Sequence, residues 1–439
     1  MILGIVFTFF IGYLTVINFL PEITSRLLRF SLSFATGIVI NSVITFIVLL
    51  LQLPKQEIIL PTVEIIIISV LLFFTKKREI TIFNEKDDVN VWLKIAFWIF
   101  FAVSVFLLLL HFFKDLYGSW DGIFIWNLHS KFLYTLYQSG ESFKIFFNPS
   151  LNWSHVDYPL LLPVYNYRLH MFSHSYNFIN PIITGIIFYI SVIFAFVGGI
   201  KTLINSKNAL ISGIILMTIP VFLYESGTQC ADVPLSLFIL LTFIMLFLNE
   251  KFQNKNYLIF MGLFASASAF TKNEGILFLL IFSVLYFLIN NKQDKISYLK
   301  GLLAPAFCVL YSKIFLFSQN DIFYQMTIND VWSRLTDFSR WQTIAKYYIF
   351  NIKTNILAIA LLLFSFLTGI RTIFSKNKNK IILILLIFIV FIAYTIIYLI
   401  TPRDLNWHLE TSSFRLIVQY LPLIVFFAFI NFNCCDKVD

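Results

Sequence analysis

Tyr117-Gly118-Ser119-Trp120-Asp121-Gly122-Ile123-Phe124-Ile125-Trp126-Asn127-Leu128-His129-Ser130-Lys131 opens the one long polar interruption in a very apolar chain. The interruption continues from Asn152 to Pro163 and contains Trp153-Ser154-His155-Val156-Asp157-Tyr158-Pro159. On both sides the sequence returns to apolar runs of about twenty residues, each long enough to cross a hydrocarbon layer about 30 Å thick. An acid flanked by aromatic side chains, then a helical pattern, then a second acid beside a proline turn reads as a site rather than a connector.

The composition fits that contrast. Of 439 residues, 59% are hydrophobic and 13% charged, with a mean hydropathy of +0.85, whereas a soluble domain carries about a quarter charged residues. The chain is therefore expected to be an all-α, polytopic membrane protein. Spans are placed near 1–20, 31–51, 58–75, 91–113, 180–200, 208–223, 234–249, 257–271, 275–290, 300–317, 352–370, 380–400 and 415–432, about thirteen in all. Residues 1–90 hold three of these spans, with no role assigned. Residues 91–439 hold the rest and two long loops, 114–180 and 318–351.

The net charge of +9 does not point to nucleic acid, because its placement follows the rule that basic residues stay on the inner side. Arg26 and Arg29, Lys76 to Arg78, Lys201 and Lys207, Lys251 and Lys255, Lys292 to Lys300, and Arg371 to Lys380 fall on alternate connections. This sets the N-terminus outside, the C-terminus inside and both long loops outside. The apolar start lacks a basic leader and a small-residue cleavage pattern, so it reads as a retained span. Abundant Phe, Ile, Lys and Asn make a bacterial inner (plasma) membrane the expected home. Cys230, Cys308, Cys434 and Cys435 show neither disulfide-framework nor zinc-ligand spacing.

In the first loop Phe124, Leu128, Phe132 and Leu136 recur at four-residue steps. They predict a helix lying flat on the membrane, with Asn127, Ser130, Lys131 and Tyr134 on its other face. On this topology the outer ends collect Asp115, Asp121, Asp157, Asp232, Lys272, Glu274, Arg403, Asp404, Glu410 and Arg415. Charges beside apolar segments are costly unless paired, solvated or used. Asp121 is a candidate general base or metal ligand, with a helix N-cap as its ordinary alternative. Asp157 sits in the turn stiffened by Pro159, where turn chemistry alone could account for it. Lys272 and Arg415 suit a lipid phosphate, Arg415 through its bidentate fork; a simple Lys272–Glu274 pair and a snorkelling arginine are the alternatives. His155 and His129 could assist an acid or an acceptor hydroxyl. The His170/His174 pair has no third ligand in a zinc pattern, and Asn152-Trp153-Ser154 is a formal glycosylation sequon.

The Trp120-Asp121 loop, His155-Val156-Asp157-Tyr158-Pro159, Ala231-Asp232-Val233-Pro234-Leu235, Thr271-Lys272-Asn273-Glu274-Gly275 and the Arg415 segment together resemble the GT-C-fold membrane glycosyltransferases. These use polyprenyl-phosphate sugars and include protein mannosyltransferases and lipid A aminoarabinose transferases. The resemblance runs from about Trp92 to the C-terminus. It implies that Asp121 acts on the acceptor; beside it, Asp157 and His155 are expected to orient the acceptor or Asp121. It also implies that Lys272 and Arg415 hold the lipid phosphate; Trp120, Tyr158, Asp232 and Glu274 are further candidates for substrate binding. The implied partners are a polyprenyl-phosphate-linked sugar, a glycan, lipid or protein acceptor, and membrane lipids.

Many members carry adjacent acids where this chain has Asp121-Gly122, which leaves the use of a divalent metal open, with no other cofactor assigned. Three extra spans also precede the family-like region. Competing readings are a transporter or flippase, which needs ionisable groups near mid-membrane, a non-catalytic scaffold, and another lipid-linked glycan ligase or polymerase. The nearly clean spans, with Glu64 and Lys313 among few exceptions, favour the transferase.

Overall fold

The computed structural model describes residues 1–75, 89–316, 326–354 and 377–432. Among them the chain is helical, with no strand. The N-terminal unit is α1 (Ile2–Phe19), α2 (Arg26–Leu50) and α3 (Gln56–Thr75). The helix α4 (Val91–Lys114) leads into the first loop, which contains α5 (Leu128–Gln138) and α6 (Leu161–Ser173). Then follow α7 (Ile179–Leu203), α8 (Ser206–Met217), α9 (Pro220–Gly227), α10 (Asp232–Phe252), α11 (Asn256–Thr271), α12 (Asn273–Ile289) and α13 (Lys292–Tyr311). The second loop carries α14 (Ile328–Thr336) and α15 (Phe338–Thr354), and the chain closes with α16 (Lys378–Ile400) and α17 (Leu405–Phe432). By length and composition nine of the described helices can cross a membrane, or up to ten if the bent pair α8–α9 forms one span. The helices α11 and α12 are apolar but shorter. The expected span at 352–370 falls almost wholly outside the described residues.

Helices that start at the basic connections begin on residues able to satisfy free backbone N–H groups. Ser25 accepts from Leu28 N, Asn90 from Trp92 N, Asn205 from Asn208 N, and Asn291 from Asp294 N. At the opposite end Arg340 donates from Nε to Leu399 O at 2.7 Å, and from Nη2 to Tyr398 O and Thr401 O at 3.1 Å. These are the carbonyls that α16 leaves unbonded, so α15 is fastened across the end of the last helical pair. The exposed Ile328, Trp332 and Phe338 give α14 and the start of α15 an apolar face suited to a membrane surface.

The first loop departs from the surface-lying picture. From Leu161 to Met171 every residue of α6 is buried, because the helix inserts among α1, α2, α3, α5, α7 and α11. Arg168 on α6 is fully buried and donates from Nε and Nη2 to the Glu64 carboxylate at 2.5 Å each, from Nη2 to Gly4 O at 2.9 Å, and from Nη1 to Thr8 Oγ1 at 3.2 Å. The apparently isolated Glu64 of α3 thus has its counter-ion in a segment that reads as an external loop.

Close helix contacts depend on missing side chains. A Cβ at Gly301 of α13 would lie 1.8 Å from Ile259 O of α11, and one at Gly262 would lie 2.1 Å from Tyr298 O. Gly301→Val is expected to force the two helices apart at a cost of about 1–3 kcal/mol or more. A lowered thermal midpoint of the purified protein in detergent is the measurement; an unchanged midpoint counts against this packing.

Candidate functional site

The site begins where α4 ends. Gly118 adopts φ +84° and the loop turns back on the α9–α10 connection, where Ser119 N donates to Thr228 O at 3.0 Å. A Cβ at Gly122 would stand 2.5 Å from the same carbonyl. A second acid following Asp121 has no room here, which gives a steric reason for Asp121-Gly122 in place of adjacent acids. Gln229 completes the clip, its Nε2 donating to Leu116 O at 3.0 Å and its Oε1 accepting from Asn127 Nδ2 at 2.8 Å.

Residues Gly122–Asn127 form a π-helical turn before α5. The wider turn shifts the face that follows, so Ile125, Trp126, His129, Ser130, Leu133 and Tyr134 are buried while Phe124 stays exposed. The polar face expected to look outward is thus largely packed inward, with Lys131 still exposed. Asp121 makes no capping hydrogen bond; its Oδ2 accepts instead from Arg415 Nη1.

Arg415, on α17, also donates from Nε to Asp232 Oδ2 at 3.0 Å. Asp232 begins α10 and is wholly buried. Its Oδ1 accepts from Lys272 Nζ at 2.8 Å and from Gln419 Nε2 at 2.7 Å. Lys272, in the α11–α12 turn, reaches Glu274 Oε1 at 3.0 Å as well. Burial works against its ammonium, but the carboxylates of Asp232 and Glu274 outweigh this and hold its pKa above the ordinary lysine value. Five residues singled out by sequence, Asp121, Asp232, Lys272, Glu274 and Arg415, thus form one ion-pair network at one end of the bundle.

Asp157 adjoins them from the first loop. Its Oδ2 accepts from Asn273 Nδ2 at 3.0 Å, and its backbone carbonyl accepts from Lys313 Nζ. Lys313 also reaches Asn273 Oδ1 at 2.9 Å. Tyr158 packs against buried Trp126 with ring centroids 5.4 Å apart; burial, Glu274 and Asp157 hold its phenol well above the usual value. His155 is half-buried, left-handed at φ 56°, and tilted over Tyr158 at 5.5 Å. Trp120 is 62% exposed at the rim and packs on Phe124.

Other expected members go elsewhere. Asp115 faces His111 at 3.7 Å, Asp404 caps Trp407 N at 2.8 Å, and Glu410 accepts from Tyr347 at 2.8 Å. The guanidinium of Arg403 lies over the Trp407 ring, 5.5 Å from its centroid. His170 Nδ1 accepts from Asn180 Nδ2 at 2.8 Å while His174 is exposed, so the two do not form a zinc pair. Sequence reasoning missed Asn273, Gln419 and the buried Glu225, whose Oε2 lies 3.5 Å from Thr228 Oγ1. Among the described residues no group of three or more His, Cys, Asp or Glu side chains is arranged to hold a metal ion, so no step is routed through one.

His129 is buried and donates from Nε2 to Ser154 O at 2.8 Å. Burial pushes both His129 and His170 down to about 3. Folded protein therefore binds fewer protons than unfolded protein between the unfolded value near 6.5 and about 3. Stability is fully present above that window and falls with acidification by about 1.4 kcal/mol per pH unit for each ring. Denaturation midpoints in detergent are expected to drop from pH 7 to 5, and His129→Gln, which can still donate to Ser154 O, should flatten the slope. A pH-independent midpoint would remove this assignment.

Residues 169–313 match the family model for dolichyl-phosphate-mannose-protein mannosyltransferase. The matched stretch contains Asp232, Lys272, Glu274 and Lys313, while Asp121, Asp157 and Arg415 lie outside it. No curated protein and no solved structure matches the chain. The family match bears out the resemblance to GT-C glycosyltransferases and, with it, the enzyme class.

Proposed function

We propose, with a membrane glycosyltransferase of the GT-C type as the premise, that this chain moves a sugar from a polyprenyl phosphate to an acceptor hydroxyl at the outer membrane surface, inverting the anomeric centre. The observation that carries the reading is Arg415 bridging Asp121 and Asp232, with Lys272 on the same Asp232. Two acids and two cations, drawn from four separate parts of the chain, meet beside apolar helices.

Asp121 takes the proton from the acceptor hydroxyl as its oxygen attacks the anomeric carbon. The bond from that carbon to the phosphate oxygen breaks, and the polyprenyl phosphate leaves with the electron pair. A single displacement inverts the centre. Lys272 and Arg415 stabilise the charge that develops on the leaving phosphate, where a low-dielectric wall strengthens the interaction. Arg415 keeps Nε and Nη2 on buried Asp232 and exchanges Nη1 from Asp121 to the phosphate, so donor arrival frees the base. Asp232 positions both cations, while Asp157 and His155 orient the acceptor side. A bacterial inner membrane, with the N-terminus outside and the C-terminus inside, fits this arrangement.

Transfer of label from a panel of polyprenyl-phosphate sugars and nucleotide sugars by the full chain in proteoliposomes tests the proposal. Transfer from a polyprenyl-phosphate donor with an inverted product is expected. A retained configuration, or use of nucleotide sugars alone, would overturn it.

A further inference from the structure

The three N-terminal helices contribute no side chain to the ion-pair network, yet the α2–α3 connection forms one wall of a cavity of about 620 Å³. The facing wall is α5, the turn after it and the end of α6. That volume lies within the range of about 300–1,000 Å³ of small-molecule sites. Buried Leu49, Leu133, Leu136, Phe143 and Met171 line it with apolar surface, and Gln52, Lys55, Glu57, Gln138, Glu141 and His174 supply polar groups.

The walls are tied together. Tyr137 of α5 donates to Glu57 Oε2 and accepts from Gln56 N at 3.1 Å, and Gln56 Oε1 accepts from Tyr167 of α6 at 2.6 Å. Three non-glycine residues at the cavity are left-handed: Gln52 at φ 49°, Lys55 at 52° and His174 at 51°. Each such conformation costs about 1–3 kcal/mol and persists only where its surroundings enforce it.

We infer that this cavity is a carbohydrate-binding site, which seats the non-reacting part of a glycan acceptor. Calling the ligand an acceptor rests on the glycosyltransferase reading. Carboxylates and amides that accept and donate side by side match vicinal hydroxyls, and the apolar lining matches the C–H face of a sugar ring. Two carboxylates against one lysine disfavour a phosphate. With about 1.5 Å rise per helical residue, Tyr134 lies about 20 Å along the chain from Asp121, so the ligand that uses both is an oligosaccharide.

The test uses purified full-length protein in nanodiscs on an array of immobilised neutral and N-acetylated oligosaccharides. Wild type is compared with Gln138→Trp and Glu141→Trp, both at exposed positions where bulk can fill the cavity without touching the core. At least a tenfold loss of binding in both variants is expected, and in transfer assays a tenfold higher acceptor KM with kcat unchanged. No array glycan bound by wild type, or binding unaffected by either variant, overturns the inference. Binding that responds to the variants in a protein that transfers from no donor keeps the cavity and sinks the transferase reading; transfer with an unmoved KM sinks the cavity alone.

Discussion

Asp121→Asn is expected to lower sugar transfer on the order of 10²- to 10⁴-fold, the contribution of a positioned general base. Asparagine has nearly the same shape and can still face Arg415, and Asp121 is only partly buried, so folding should survive. Donor binding should survive too, because Lys272 and Arg415 keep their anchor on Asp232. Arg415→Lys is the informative contrast. An ammonium can neutralise Asp232 but lacks the fork that reaches Asp121 at the same time, so transfer should fall about 10²- to 10³-fold through the leaving group. Single-turnover rates at saturating donor separate the two effects. Wild-type rates in the Asp121 variant would move the base to Asp157.

Glu64→Leu or Arg168→Met alone is expected to destabilise the protein by about 3–5 kcal/mol, since each strands a charge in a fully buried setting. The double variant should recover most of that loss, or exceed the wild type, because a buried pair gains little over well-packed apolar residues. Thermal midpoints of all four proteins in detergent measure this as a double-mutant cycle. Equal losses in single and double variants would show that Arg168 matters chiefly through Gly4 and Thr8.

Much of the ion-pair network could be read from the sequence because charges at the ends of apolar helices are few. Asp232 before Val233-Pro234 and Lys272 between two short helices leave little room for other placements. Residues inside helices were harder to read. Gln419 and Lys313 reach the site through helix rotation and packing, which no local pattern encodes. The inward face of α5 was misread because a π turn offsets the four-residue period that Phe124, Leu128 and Phe132 display. With Tyr165, Asn166, Arg168 and His170 interleaved among apolar residues, α6 reads as an interfacial segment. Its burial depends on an acid more than a hundred positions away.

That separation also sets an order of events during synthesis. Glu64 enters the membrane 104 residues ahead of Arg168, when no cation from α6 exists to meet it. A charged side chain in a lone span is costly, and α3 gains its buried partner only when α6 is in place. The insertion of α6 then brings the guanidinium that faces Glu64 on two sides. The N-terminal helices therefore wait, incompletely assembled, for a segment made much later. The pair of Glu64 and Arg168 thus joins the N-terminal helices to a segment made 104 residues later.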